Sequence, residues 1–216
     1  MVGVSEAPGT ATVSQEPAWN YERFDTEFTI NLTVTDAEDI QGWEANITFD
    51  PTVLEVVNAS EGEFLKSMFP TFYSYLAPED AGYIYIASSY YYVMPQGFGV
   101  NGNGILANIT FQVITTEGNT SLHYKEAETV LWYNNGTALD QQPRNLNDGF
   151  VQVRIPGDAN GDRTVDIFDI GKISSHWYPG PPIGPLGYDE EADINLDGNV
   201  DIFDIGICSA HWGETV

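Results

Sequence analysis

Gly104-Ile-Leu-Ala-Asn-Ile-Thr-Phe-Gln-Val113 sets apolar side chains two residues apart at Ile105, Ala107, Ile109, Phe111 and Val113. Polar Asn108, Thr110 and Gln112 stand between the later ones. A period of two marks a strand with one face in a core and one in water. The same pattern recurs upstream. Phe28, Ile30, Leu32 and Val34 alternate with Thr29, Asn31, Thr33 and Thr35, and Trp43, Ala45, Ile47 and Phe49 with Glu44, Asn46 and Thr48. Further strands are expected at 53–57, 71–76, 83–92, 120–125, 128–133 and 149–153. Turn residues separate them, as at Asp50-Pro51, Asn134-Asn-Gly136 and Asn147-Asp-Gly149. About nine short strands without a helical period predict a mainly β, antiparallel sandwich. Residues 1–20, rich in Ser, Thr, Pro and Glu, read as a tail or linker.

Past residue 154 the pattern changes. Asp158-Ala-Asn-Gly-Asp-Arg-Thr-Val-Asp-Ile-Phe-Asp169 returns as Asp193-Ile-Asn-Leu-Asp-Gly-Asn-Val-Asp-Ile-Phe-Asp204. Side-chain oxygens fall at loop positions 1, 3, 5, 9 and 12. They belong to Asp158, Asn160, Asp162, Asp166 and Asp169, then to Asp193, Asn195, Asp197, Asp201 and Asp204. Thr164 and Asn199 occupy position 7, where a backbone carbonyl is the donor. This is the spacing by which a loop wraps a hard cation, so one Ca2+ per loop, two in all, is expected. Mg2+ demands tighter octahedral geometry and keeps its waters. Position 6 favours Gly for its sharp turn. Gly198 supplies it in the second loop but Arg163 stands there in the first, which predicts a weaker first site. The two copies align without a gap from 158–177 to 193–212, each ending in His-Trp. Ile155-Pro-Gly157 leaves no helix before the first loop. Tyr178 to Gly187, rich in Pro and Gly, reads as a rigid connector.

The formal charge of −25, from 32 acidic and 7 basic residues, argues against nucleic acid and anionic membrane as partners. No stretch of 18 apolar residues is present, so no membrane span is expected. The single Cys208 excludes an intrachain disulfide and reads as a small buried thiol. Met1-Val-Gly-Val-Ser-Glu lacks the basic start and apolar core of a signal peptide. Asn31, Asn46, Asn58, Asn108, Asn119 and Asn135 each open an Asn-x-Ser/Thr triplet. That is about three times the number this composition gives by chance, and all six precede residue 150. A secreted, glycosylated chain in mature form is the reading that accommodates both facts.

Catalysis is not expected. The densest carboxylates are claimed by the two loops, His176 and His211 hold equivalent repeat positions that suggest packing, and no phosphate loop or zinc spacing appears. Tyr73, Tyr75, Tyr83, Tyr85 and Tyr90 to Tyr92 either fill the core or offer flat rings to a protein or a sugar.

Two resemblances follow from these residues. The tandem loops, each followed by one helix and ending in Asp169 or Asp204, resemble a dockerin domain over 155–216. Residues 47–55, 104–113 and 147–153 resemble characteristic strands of a cohesin domain, a nine-strand jelly roll, over 21–154. The resemblance implies that cohesin and dockerin bind each other, the dockerin through its helices and the cohesin through one sheet face. It places recognition at Ile167, Phe168, Ile202 and Phe203; the alternative is that one residue of a pair packs the core, which is expected for at least one of them. The main expectation is a non-catalytic, secreted, calcium-dependent assembly protein whose dockerin docks on the cohesin of another chain, giving a homo-polymer or filament. The alternatives are an adaptor joining a foreign dockerin to another cohesin, or a carbohydrate-binding module.

Overall fold

The computed structural model describes residues 8–22, 24–116, 118–178, 189, 191–195 and 197–215. Its strands are β1 (Ala11–Glu16), β2 (Trp19–Glu22), β3 (Glu27–Thr48), β4 (Leu54–Glu61), β5 (Thr71–Leu76) and β6 (Tyr83–Tyr90). They continue as β7 (Val100–Val113), β8 (Gly118–Tyr124), β9 (Val130–Asn134), β10 (Leu139–Gln141), β11 (Arg144–Asn147) and β12 (Gly149–Val153). The helices are α1 (Glu63–Lys66), α2 (Ile167–Ser175) and α3 (Ile202–Ala210). Two compact units result. The first holds residues up to Thr115 and Asn119–Gln152, the second Thr116–Gly118 and Val153–Val216.

The alternating runs at 28–34 and 43–49, expected as two strands, form one 22-residue strand, β3, that serves both layers of a β-sandwich. Its first half pairs antiparallel with β7 and β1, giving the order β4–β7–β3–β1–β11, in which β1 and β11 run parallel. Its second half pairs with β6, β9 and β8, giving a second layer that β5, β10, β12 and β2 extend. The crossing is made by two bulges. Asp36 and Asp39 take φ of +56° and +55°, with register shifts on either side of Ala37. Asp tolerates this left-handed region better than other side chains. Asn103 Oδ1 accepts the Asp36 N–H at 3.0 Å and Asn101 Oδ1 the Asp39 N–H at 2.9 Å.

Burial follows the alternation except at the start of β7, where a register shift against β3 leaves Ile105 exposed and buries Leu106 instead. Ile30, Leu32, Trp43, Ile47, Ile84, Ile86, Phe111 and Tyr124 are fully enclosed between the layers. Phe111 stacks on Phe28 at 5.7 Å and meets Phe49 edge-on at 5.3 Å. The tyrosines divide. Tyr90 lies on the inward face of β6, Tyr83 and Tyr85 on its half-buried outward face, and Tyr91 and Tyr92 are exposed beyond its end.

Residues 1–20 are not simply a tail. Ala11, Val13 and Gln15 are buried on β1, and Gln15 Nε2 donates to the Leu122 carbonyl at 2.7 Å. Three inward residues are too short a run to stand out from a Ser/Thr-rich background, and residues 1–7 lie outside the described set. The connector expected at 178–187 is described only at Tyr178.

The second unit has a small core of Ala159, Val165, Ile173, Ala192, Val200 and Cys208, with Ile155, Ile170, Tyr178, Ile194 and Ile205 against it. Cys208 is the buried thiol expected, and burial raises its pKa. His176 and His211 are the C-caps of α2 and α3, both partly buried. No helix among the described residues is long and apolar enough to cross a membrane.

Candidate metal loops and docking faces

Both loops fold alike. At position 1, Asp158 accepts backbone N–H bonds from Gly161 at 2.9 Å, Asp162 at 3.2 Å and Arg163 at 3.0 Å. Its counterpart Asp193 accepts from Asp197 at 3.2 Å and Gly198 at 2.8 Å. At positions 3 and 5, Asn160 and Asp162 accept from the N–H two residues on, as do Asn195 and Asp197. Asp166 and Asp201, at position 9, are also the N-caps of α2 and α3, with φ of −145° and −146°. Each accepts the N–H two residues on, and each forms a capping box with position 12. Asp169 Oδ1 takes the Asn160 N–H at 3.0 Å, and Asp204 Oδ1 the Asn195 N–H at 3.2 Å, tying loop start to loop end. Thr164 and Asn199 complete the turns, Thr164 forming a bridge with Thr215.

Asp158, Asp169, Asp193 and Asp204 are buried in a chain already rich in negative charge. Burial raises the Asp158 pKa, and its charged neighbours Asp169 and Asp162 raise it further. Burial likewise raises that of Asp204, with Asp193 adding to it. Buried carboxylates surrounded by carboxylates are costly unless a cation joins them. Every donor in the set is a hard oxygen, so the residues fit Ca2+. Among the described residues, no group of three or more His, Cys, Asp or Glu side chains converges in the arrangement of a metal centre, the carboxylates here being turned onto backbone N–H groups. At position 6 the backbone is left-handed in both loops, Arg163 at φ +73° and Gly198 at φ +85°, so the first loop places a side chain where the second has none.

The recognition residues behave differently from expectation. Ile167, Phe168, Ile202 and Phe203 are all 60–68% exposed, so neither member of either pair packs inward. The core positions are taken instead by Val165, Ile173, Val200 and Cys208. Helix start 166/201 turns positions 10 and 11 outward, and Trp177 and Trp212 are exposed in matching places.

On the sandwich, apolar exposure concentrates on the outward face of the second layer. Phe72 and Leu76 project there from β5, beside Tyr85 on β6 and near a cleft of about 360 Å³ lined by Gly42, Tyr90 to Tyr92, Val93, Trp132 and Leu139. Glu44 accepts the Tyr85 hydroxyl at the centre of this face. The alternation of Phe72, Ser74 and Leu76 carried this signal in the sequence, but it does not say which phase is outward.

The six sequons separate in the same way. Asn58 and Asn119 are exposed and Asn31, Asn108 and Asn135 half-buried. Asn46, expected on the wet face of its strand, is 4% exposed and donates its amide to Glu128 Oε2 at 2.6 Å. The side chain does point outward from the core, but the 126–128 turn covers it.

The cohesin-domain family model matches residues 22–153. The fold is similar to a non-cellulosomal cohesin from the hyperthermophilic archaeon Archaeoglobus fulgidus, at 14% identity and TM-score 0.53, covering 70% of this chain and 96% of that one. It is similar to the seventh ScaB type I cohesin of Pseudobacteroides cellulosolvens, at 16% identity and TM-score 0.56, covering 67% and 92%. A type I cohesin–dockerin complex from Clostridium thermocellum gives 13% identity and TM-score 0.55, covering 67% and 99%. No curated protein matches the chain. With the family model spanning more than half of its residues and the sandwich it prescribes in place, the chain belongs to the cohesin family.

Proposed function

We propose that this is a non-catalytic, secreted assembly protein in which a calcium-stapled, dockerin-like C-terminal unit docks on the cohesin sandwich of another copy. The observation that carries this reading is the pair of loop–helix repeats, each burying carboxylates among carboxylates and exposing an Ile-Phe pair. The exposed apolar face of the second layer is the receiving surface. A cohesin with this fold is bound to a dockerin in the Clostridium thermocellum complex, which supports the same pairing here. Two unlike patches on one chain make a heterologous contact, which propagates into a filament unless its rotation closes. Bound Ca2+ supplies the positive charge that the loops lack, holds the two helices in place, and lowers repulsion between acidic copies. Asp158, Asn160, Asp162, Thr164, Asp166 and Asp169 would hold one ion, and Asp193, Asn195, Asp197, Asn199, Asp201 and Asp204 the other.

Light scattering of the purified chain with millimolar Ca2+ and with EDTA tests this reading. Growth in Ca2+ that EDTA reverses is expected. A monodisperse monomer in Ca2+ would overturn self-assembly and leave the adaptor reading, in which a foreign dockerin occupies the sandwich.

A further inference from the structure

The outward face of the first layer differs from that of the second. Asn31 on β3 stands directly opposite Asn108 on β7, Ser60 on β4 is also opposite Asn108, and Asn58 opposite Thr110. Three of the six sequons therefore lie side by side on three neighbouring strands. Along a strand, residues i and i+2 project from one face, so each of these asparagines has its own Thr or Ser beside it. Ile30, Leu32, Ala107 and Ile109, the residues on the opposite phase, are fully buried, so a register slip that would turn the asparagines inward is excluded. Among the described residues no side-chain hydrogen bond holds the amide of Asn31, Asn58 or Asn108, whereas Thr29 and Thr110 are paired through their hydroxyls at 2.9 Å. Asn46, on the receiving face, has its amide committed to Glu128.

We propose that the outward face of the β4–β7–β3 layer is a glycosylated face, with N-linked glycans on Asn31, Asn58 and Asn108 and none on Asn46. The co-reactant is an oligosaccharide activated as a glycosyl diphosphate and transferred by a separate enzyme. The side-chain nitrogen forms a bond to the anomeric carbon, the bond from that carbon to the diphosphate oxygen breaks, and the diphosphate departs with its carrier. The amide proton passes to the transferring enzyme, and no electron is exchanged. The sugars then cover one face of the sandwich and leave the apolar face bare.

Glycopeptide mass spectrometry of the chain isolated from its native source, with fragmentation that keeps the sugar on its residue, tests the assignment whatever the sugar is. Added mass is expected at positions 31, 58 and 108, with an unmodified peptide across 46. Thr33→Val, Ser60→Ala and Thr110→Val each destroy one sequon on an outward position, and each should lower the intact mass by one glycan. Complete absence of added mass at any of the three asparagines, or its presence at Asn46, overturns the proposal.

Discussion

Replacing Arg163 by Gly should stabilise the first loop. Arg163 sits at φ +73°, where its counterpart Gly198 sits at φ +85°, and both donate their N–H to the carboxylate at position 1. A left-handed conformation costs an L-residue roughly 1–2 kcal/mol. Gly avoids that cost but loses more freedom on folding, which returns about 0.5–1 kcal/mol. The difference is a net gain of about 0.5–1 kcal/mol, or roughly 2- to 5-fold in the folded ratio. For a unit of this size the shift is about 2–8 °C in the midpoint of its transition. Calorimetry of the full chain in Ca2+ reads this, provided the transition that moves with Ca2+ is the one followed. Arg163→Ala is the control, since it removes the side chain and keeps the strained backbone. If Arg163→Gly leaves the midpoint in place, or if Arg163→Ala raises it equally, the strain argument fails.

Four other outcomes are expected. The Asp158 and Asp204 pKa values lie above the ordinary 3.8, so in EDTA the second unit should lose stability as pH rises from about 4 through those raised values. In excess Ca2+, which takes the ionised form, it should gain stability over the same window, and pH-dependent melting checks the reversal. Asp158→Ala with Asp193→Ala should abolish the calcium-dependent transition and self-association while leaving the sandwich transition in place, as two-step calorimetry would show. Phe168→Ala with Phe203→Ala should leave melting unchanged, because both rings are exposed, yet weaken association by at least about tenfold in light scattering. Trp43→Ala, in a site 2% exposed, should cost the sandwich about 3–5 kcal/mol in urea unfolding.

The sandwich was legible because alternation is a local signal and most of its strands carry it. At β3 the reading broke for a physical reason. Asp36 and Asp39 look like turn residues, and in a flat strand they would be, but their left-handed backbones make bulges that bend a continuous strand into the second layer. At β1 it broke because a short strand held between β3 and β11 is decided by partners elsewhere in the chain. Asn46 failed for a similar reason. The phase of its strand is right, but Glu128 reaches it across 82 residues. In the loops, the spacing of oxygens gave the candidate ligands, while the direction of Ile167, Phe168, Ile202 and Phe203 depended on where the helix begins. The capping box at Asp166 and Asp201 sets that start, and a pattern of apolar residues alone does not reveal it.

The relation between the two repeats was not legible at all. A tandem repeat in sequence is compatible with two independent loop–helix pieces or with one exchanged pair, and the backbone bridges decide between them. The Val165 N–H donates to Glu214 at 2.9 Å and its carbonyl accepts from Gly213 at 2.8 Å, so the chain following α3 closes the first loop. Val200 exchanges both bonds with Tyr178 at 2.8 Å, so the chain following α2 closes the second. Each loop is thus completed by the other copy, and Val165 and Val200 meet in one core with Ile173 and Cys208. Neither repeat can keep its closing bridge if the other opens. Order gained at the loop with Gly198 is therefore shared with the loop that carries Arg163, and this is how a strained residue persists at a position where its twin has none.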